Sequence, residues 1–89
     1  MNSIELSVIT PAYNAGKTIG CCLDSLLQSV QQAPVESICV DDGSKDDTWD
    51  ILQSYSKKYD CLRVFHKENG GVGSARSLGL SQANGNYVA

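Results

Sequence analysis

Short runs of branched apolar residues alternate along this chain with longer segments in which apolar residues recur every three or four positions. The short runs are typical of β-strands, and the longer segments are typical of helices with one apolar face. The predicted strands are Ile4–Thr10, Val35–Val40, Cys61–Phe65 and Asn86–Ala89, and the predicted helices cover approximately residues 17–31, 44–58 and 72–83.

Prolines and small polar residues set the expected element boundaries. Pro11 is expected to end the first strand and Pro34 the first helix, because proline lacks the backbone N–H that both elements use. Residues 41–44 predict a turn after the second strand. Ser44, followed three residues later by Asp47, predicts a variant of the capping box at the start of the second helix.

Strands that alternate with helices predict a parallel sheet, because each helical crossover returns the chain to the same end of the sheet. The expected fold class is α/β, a three-layer α/β/α sandwich of the Rossmann type in the order β-α-β-α-β-α-β. The 89 residues are expected to form one unit, since a chain of this size is near the lower limit for a single core.

Composition and charge narrow the function. Apolar residues make up 42% and charged residues 19%, which is typical of a globular chain. The net charge of −3 argues against a nucleic acid as the main partner, because nucleic-acid-binding surfaces carry a basic excess. The amino terminus lacks the pattern of a signal peptide, so the expected location is the cytoplasm or the cytoplasmic face of a membrane. The four cysteines form no C-x-x-C pair and are expected to be free thiols.

Three predicted loops carry the candidate chemistry. Each follows the carboxyl end of a strand, and ligands of open parallel sheets bind at that edge. The loops hold, in chain order, Pro11, Tyr13 and Asn14; Asp41 and Asp42; and Asn69, Gly70, Gly71 and Gly73, with Arg76 one turn into the next helix.

These residue types together predict a nucleotide pocket. Tyr13 offers a flat face for a planar base, and a carboxylate accepts hydrogen bonds from a base N–H or a ribose hydroxyl. The glycines allow backbone amides to approach an oxyanion, and the Arg76 guanidinium can bind a phosphate or a base carbonyl.

Each feature taken alone has a structural interpretation as well. Residues 41–44 can be only a turn with a helix cap, and residues 69–71 only a flexible loop. Tyr13 can be a half-buried aromatic residue, and Arg76 a solvated helix residue. Trp49 is expected to be a packing anchor, and His66 a residue at a strand end without a catalytic role. The functional interpretation gains weight because all three loops are expected at one edge.

Four segments resemble motifs of the family 2 glycosyltransferases with the GT-A fold. They match the family patterns S-V-I-x-P-x-Y-N, V-D-D-G-S-x-D-x-T and N-x-G-x-x-x-A-R-N-x-G, and the approach to its metal-binding strand. The matching segments are Ser7–Asn14, Val40–Thr48, Asn69–Gly79 and Asn84–Val88. Ser77 stands where the family has Asn, and Ala15 stands where Glu is common.

The resemblance implies a role for nine residues in binding a nucleotide-sugar donor, with UDP the favoured nucleotide. Pro11, Ala12 and Tyr13 would contact the uracil or ribose. Asp42 would hydrogen-bond the base, and Asp41 would shape its turn. Three glycines would permit close approach of the third loop, and an arginine would approach the base or diphosphate; these are Gly70, Gly71, Gly73 and Arg76.

The resemblance also implies what lies beyond these residues. The family's Asp-x-Asp motif, which holds Mg²⁺ or Mn²⁺, its acceptor site and its catalytic base are expected after Ala89, so residues 1–89 would bind the donor without transferring sugar. The acceptor in the whole enzyme would be a glycan or lipid hydroxyl, and the reaction would invert the anomeric centre. Uncovered apolar surface and a sheet edge are expected to make the 89 residues self-associate. The alternatives are half of a sugar-nucleotide nucleotidyltransferase and a non-enzymatic interaction module.

Overall fold

Four parallel strands and three helices alternate in this computed structural model, which describes residues 4–30 and 33–89. The predicted α/β order is confirmed; the predicted end of the first helix, at residue 31, lies outside the described residues. The strands are β1 (Leu6–Ala12), β2 (Val35–Asp42), β3 (Leu62–Lys67) and β4 (Tyr87–Val88), and the helices are α1 (Ile19–Val30), α2 (Thr48–Lys58) and α3 (Val72–Gln82).

The first strand continues through Pro11, so the prediction that Pro11 ends it is wrong. In β1 the backbone of Ser7 and Ile9 bonds to β4, through Ala89 N–H to Ser7 O at 2.8 Å and Ile9 N–H to Ala89 O at 2.9 Å. Backbone groups two residues apart in a strand point to the same side, so the nitrogen of Pro11, like the backbone of Ser7 and Ile9, faces β4. No bond between β1 and β2 is lost, and β1 pairs with β2 as far as Ala12 opposite Asp41.

The second strand includes Asp41 and Asp42, which were predicted to lie in a turn. The strand is central in the sheet, and its last residues pair with β1 on one side and with His66 and Lys67 of β3 on the other. Pairing on both sides at Asp41, and with β3 at Asp42, keeps the chain extended until Gly43, whose φ of +71° begins the turn.

The predicted capping box at Ser44 and Asp47 is also wrong. Asp47 is the residue before α2, but its side chain makes no capping hydrogen bond. Asp46 caps instead, because its Oδ1 accepts the Thr48 backbone N–H at 3.0 Å as well as the Thr48 hydroxyl. Ser44 is used elsewhere, as an acceptor for the backbone of Asn14.

Two apolar clusters on opposite faces of the sheet form the core, which confirms the three-layer α/β/α arrangement. Helices α1 and α2 pack on one face and α3 on the other. The first cluster is built around Ala12, Ile19, Leu23, Leu27, Cys39, Leu52 and Leu62, and the second around Ile9, Ile38, Val40 and Ala75.

The sheet order is β3-β2-β1-β4, so the chain changes direction across the sheet after β3. Helix α3 carries it back over β2 and β1 to place β4 beside β1. In open parallel sheets the loops near such a reversal form a crevice at the carboxyl ends of the strands. The three predicted loops therefore meet at the carboxyl ends of the strands.

Glu36 connects the strands at the opposite end of the sheet, near their amino ends. It is 3% exposed, and it accepts hydrogen bonds from Ser7 Oγ at 2.6 Å, Arg63 Nη1 at 3.1 Å and the Asn84 backbone N–H at 2.7 Å. Ser7 Oγ in turn accepts the Gly85 N–H at 2.9 Å. This network joins β1, β2 and β3 to the turn before β4.

The four cysteines are free thiols, as predicted. Cys39 is buried beneath α1, and burial, followed by the nearby Cys22 and Asp41, raises the pKa of its thiol to about 12. Cys22, on α1, is exposed. Within the part of the chain that the structure describes, no helix has the length and apolar character needed to cross a membrane.

Candidate functional site

A solvent-open pocket of about 50 Å³ lies at the carboxyl ends of β1 and β2. Tyr13 remains 48% exposed at its border, so one face of its ring is accessible to a ligand. The pocket combines apolar walls with one carboxylate. Its lining residues are Pro11, Ala12, Tyr13, Asp42 and Val72.

The Asp42 carboxylate is held firmly where it lines the pocket. Its Oδ1 accepts the Gly70 N–H and the Lys67 ammonium, both at 3.0 Å, and its Oδ2 accepts the Gly71 N–H at 2.9 Å. The Gly70 N–H, followed by Lys67 and the Gly71 N–H, lowers the pKa of Asp42 below its ordinary value of 3.8 despite partial desolvation. The carboxylate is therefore ionised at neutral pH and acts only as an acceptor.

The sequence predicted that the Gly70 and Gly71 amides would approach an oxyanion of the ligand. In the structure the oxyanion they bind is the Asp42 carboxylate. Gly71 has φ of +93°, a conformation that favours glycine, and this places its N–H toward β2.

Asn69 packs the third loop against the second loop. Its Nδ2 donates to the Asp42 carbonyl at 3.1 Å. Its backbone crosses so close to Gly43 that a Cβ at position 43 would lie 2.5 Å from the Asn69 nitrogen. The turn after β2 therefore needs glycine both for its positive φ and for the passage of the third loop.

The loops after β1 and β2 are joined through Asn14. The Asn14 N–H donates to Ser44 Oγ and the Lys45 N–H donates to Asn14 Oδ1, both at 2.8 Å. Asn14 has φ of 48°, which asparagine tolerates better than most residues. A second connection runs from the Gly16 N–H to Asp46 Oδ2 at 3.0 Å. These bonds between the two loops thus fix the backbone that follows Tyr13 and Asp42.

Asp41 lies away from the pocket, on the face of the sheet that α2 covers. It is fully buried, and its Oδ2 lies 2.6 Å from His66 Nδ1, while its Oδ1 has no partner among the described residues. The His66 ring packs against Trp49 with the ring centroids 5.1 Å apart. Neighbouring strand residues point to opposite faces, so Asp41 and Asp42 cannot share one pocket.

Gly73 and Arg76 lie on the exposed side of α3. A Cβ added at Gly73 would meet nothing within 4 Å, so no close approach within the described chain requires this glycine. Arg76 is exposed and does not line the pocket. Of the nine predicted residues, the structure brings Pro11, Ala12, Tyr13 and Asp42 to the pocket and places Gly70 and Gly71 directly behind it.

Sequence reasoning missed Val72 and Lys67. Val72 lines the pocket although it is a helix residue, and Lys67 contacts Asp42 because β3 extends two residues further than predicted. The register of β2 and β3, which pairs Asp42 with Lys67, was the missing signal.

The described residues do not assemble a metal site. Across residues 4–30 and 33–89, no three His, Cys, Asp or Glu side chains converge as potential ligands. The carboxylates near the pocket already have protein partners, since Asp42 binds Lys67 and Asp46 binds the start of α2.

A four-stranded parallel sheet with helices on both faces and a pocket at the carboxyl ends of its strands defines an α/β fold of the Rossmann type. The family model described as "Glycosyl transferase family 2" matches residues 7–89. The chain therefore belongs to glycosyl transferase family 2, as its four motifs indicated. This membership disfavours the nucleotidyltransferase and interaction-module alternatives.

Curated relatives are glycosyltransferases by name. The chain is 41% identical over 90 residues to the uncharacterized glycosyltransferase YibD of Escherichia coli, covering 100% of the chain and 26% of YibD. It is 39% identical over 88 residues to a poly(ribitol-phosphate) beta-glucosyltransferase of Bacillus spizizenii, covering 96% of the chain and 14% of that enzyme. The chain thus spans about a quarter or less of these relatives.

Solved structures share the fold. Staphylococcus aureus TarS (residues 1–349) in complex with UDP-GlcNAc is 38% identical, with a TM-score of 0.80 over 94% of this chain and 25% of that one. The mannosyltransferase PcManGT of Pyrobaculum calidifontis, solved with GDP-Man and Mn²⁺, has a TM-score of 0.81 over 99% of this chain and 27% of that one. Its identity of 24% supports the fold alone.

Proposed function

We propose that residues 1–89 are the donor-nucleotide-binding part of a glycosyltransferase domain that uses a UDP-linked sugar. The observation that carries the proposal is one pocket that presents the exposed Tyr13 ring and the ionised Asp42 carboxylate together. A stacking face and an acceptor for an imide N–H suit uracil. TarS, similar to this chain at 38% identity, binds UDP-GlcNAc.

The size of the pocket supports a site for the base alone. Whole ligand sites enclose roughly 300–1,000 Å³, whereas this pocket encloses about 50 Å³. We assign the base to the space between Tyr13 and Asp42, with Pro11 and Ala12 as its wall and Gly70 and Gly71 as supports for Asp42. Asp41 would act indirectly, by fixing the end of β2. Gly73 and Arg76, exposed on α3, would face the diphosphate side.

The rest of the reaction would depend on residues outside this chain. We propose that the whole enzyme inverts the anomeric centre and transfers its sugar to a glycan or lipid hydroxyl, in polysaccharide, glycolipid or cell-surface glycan synthesis. It would use Mg²⁺ or Mn²⁺, held by the Asp-x-Asp motif that the family resemblance places after Ala89. The cytoplasmic location, or one at the cytoplasmic membrane face, stays a prediction.

An amide NMR titration of the chain with UDP, with and without Mn²⁺, tests the donor site. We expect saturable shifts in the loops around Tyr13, Asp42 and Gly71. Asp42→Asn should weaken binding by about tenfold or more, because a neutral amide replaces a charged acceptor and brings its own donors. Asp60→Asn makes the same chemical change at an exposed position and should bind like the wild type. The same samples should transfer no sugar from a UDP-sugar.

Two results would count against the proposal. A well-dispersed spectrum that does not respond to UDP would remove the donor pocket from residues 1–89. Sugar transfer by the purified chain would show that the catalytic groups lie within these residues.

We also propose that the 89 residues self-associate through β4. This strand lies at one edge of the sheet, and the Tyr87 side chain is 71% exposed. Val88 lies between Tyr87 and Ala89, whose backbone groups bond to the β1 side, so its own N–H and C=O face away from β1. An open edge with apolar side chains favours pairing with a second copy of the chain.

A further inference from the structure

Lys67 is a charged residue beside the pocket to which the sequence motifs assign no role. It is the last residue of β3 and pairs in register with Asp42. Its side chain is 19% exposed, so most of its length lies against the protein. The ammonium donates to Asp42 Oδ1 at 3.0 Å and to the Glu68 carbonyl.

The contacts leave one part of the Asp42 carboxylate available. A carboxylate offers about four acceptor positions, two on each oxygen. Gly70 and Lys67 take both positions on Oδ1, and Gly71 takes one on Oδ2. The remaining position is on Oδ2 of a residue that lines the pocket. Lys67 therefore helps to decide which oxygen is saturated and which can accept from a ligand.

Lys67 is also the countercharge of this carboxylate. The Asp42 side chain is 6% exposed, and a charge so poorly hydrated is costly without a partner. Two backbone N–H groups orient it but carry no net charge. Tyr13 is the other titratable group of the pocket lining, and Asp41 with His66 points to the opposite face of the sheet.

We propose that Lys67 is a positioning residue for base recognition, which saturates Asp42 Oδ1 and keeps Oδ2 as a charged acceptor for an N–H of the donor base. Lys67 acts through Asp42 and does not touch the ligand. The proposal rests on the proposed donor site, and it predicts selectivity for bases that present an imide N–H there. Cytosine, which presents an unprotonated ring nitrogen, should bind worse.

Calorimetric or NMR titrations with uridine, UDP and CDP, between about pH 4 and pH 8, test this role. Lys67→Met keeps the length and apolar part of the side chain and removes the charge. We expect Lys67→Met to lower the affinity for uridine and the affinity for UDP equally, by about tenfold at neutral pH. The ratio of the affinity for UDP to the affinity for CDP should also become smaller. Lys57→Met, the same change on the exposed part of α2, should bind like the wild type.

The pH profile separates positioning from a general structural effect. Without its countercharge the Asp42 carboxyl should protonate at a higher pH, so the acid loss of uridine binding should begin at higher pH in Lys67→Met than in the wild type. A structural defect would weaken binding equally at every pH. In an Asp42→Asn background, Lys67→Met should cause no further loss of affinity for uridine, because the carboxylate through which Lys67 acts is absent.

Specific results would overturn the proposal. Wild-type affinity and pH profile in Lys67→Met would show that the backbone amides suffice. A lower affinity for UDP with an unchanged affinity for uridine would show that Lys67 contacts the diphosphate directly. If Lys67→Met loses its dispersed spectrum, Lys67→Gln replaces it with the same expected results. Failure of the wild type to bind UDP would instead reject the donor site itself.

Discussion

Glu36 shows how a single buried carboxylate can be tolerated at the amino ends of the strands. Burial alone raises the pKa of Glu36, but hydrogen bonds from Ser7, Asn84 and Arg63, with the Arg63 charge, outweigh that effect. The pKa of Glu36 therefore lies below its ordinary value of 4.5. Because the folded-state pKa is lowered, the ionised form stabilises the fold above the unfolded-state pKa, and this contribution disappears as the pH falls through the folded-state pKa.

We expect Glu36→Gln to lower the free energy of unfolding by about 3 kcal/mol at neutral pH, because it leaves Arg63 without its countercharge and places an NH₂ group among donors. The difference from the wild type should shrink as the pH falls below about 4.5. Urea unfolding across this pH range measures both effects. The control is Glu5→Gln, the same change at an exposed position; an equal loss in both variants would contradict this account.

At the scale of elements, the loops after β1 and β2 behave as one unit because Asn14 makes two hydrogen bonds to adjacent residues of the turn after β2. Its backbone N–H donates to Ser44, and its side chain accepts from Lys45. The left-handed backbone of Asn14 aims both groups at the same turn. The position of Tyr13 over the pocket thus depends on its neighbour in sequence.

Two substitutions separate the side-chain bond of Asn14 from its backbone conformation. Asn14→Gly should cost about 1 kcal/mol, the value of one hydrogen bond, since glycine accepts a positive φ. Asn14→Ala should cost about 2 kcal/mol, because the left-handed conformation adds about 1 kcal/mol for a residue with a Cβ. Urea midpoints at an unchanged m-value provide the measurement. Equal losses in the two variants would show that backbone strain at position 14 is negligible.

For the whole molecule, the four-stranded sheet has β3 at one edge and β4 at the other. The β4 edge carries the exposed Tyr87 and Val88 side chains, whereas the core lies around the central strands β1 and β2. The expected weak point of the isolated chain is therefore association at an edge. The core itself is closed on both faces of the central strands.

Val88→Pro tests association through β4. Proline removes the outward N–H of Val88, while the bonds from Tyr87 and Ala89 to β1 remain. We expect the wild-type chain to form dimers or larger species as its concentration rises, and Val88→Pro to remain monomeric at the same concentrations. Sedimentation equilibrium measures this difference. A wild-type chain that stays monomeric, or a variant that associates equally, would argue against pairing at this edge.

The sequence by itself determined the order of elements, the parallel sheet, the three layers and the family. These features follow from local patterns, because the hydrophobic period distinguishes strands from helices and alternation of the two restricts the topology. The sequence also placed Pro11, Ala12, Tyr13 and Asp42 together, since all lie at the carboxyl ends of neighbouring strands. Their roles in donor binding stay predictions.

The tertiary structure decided what depends on register and on long-range pairing. Pairing with β3 extended β2 through Asp41 and Asp42, and the alternation of the strand then sent Asp41 to His66 and Asp42 to the pocket. Register also brought Lys67 against Asp42. None of these contacts has a local signal, because the residues are far apart in sequence and strand pairing selects their neighbours.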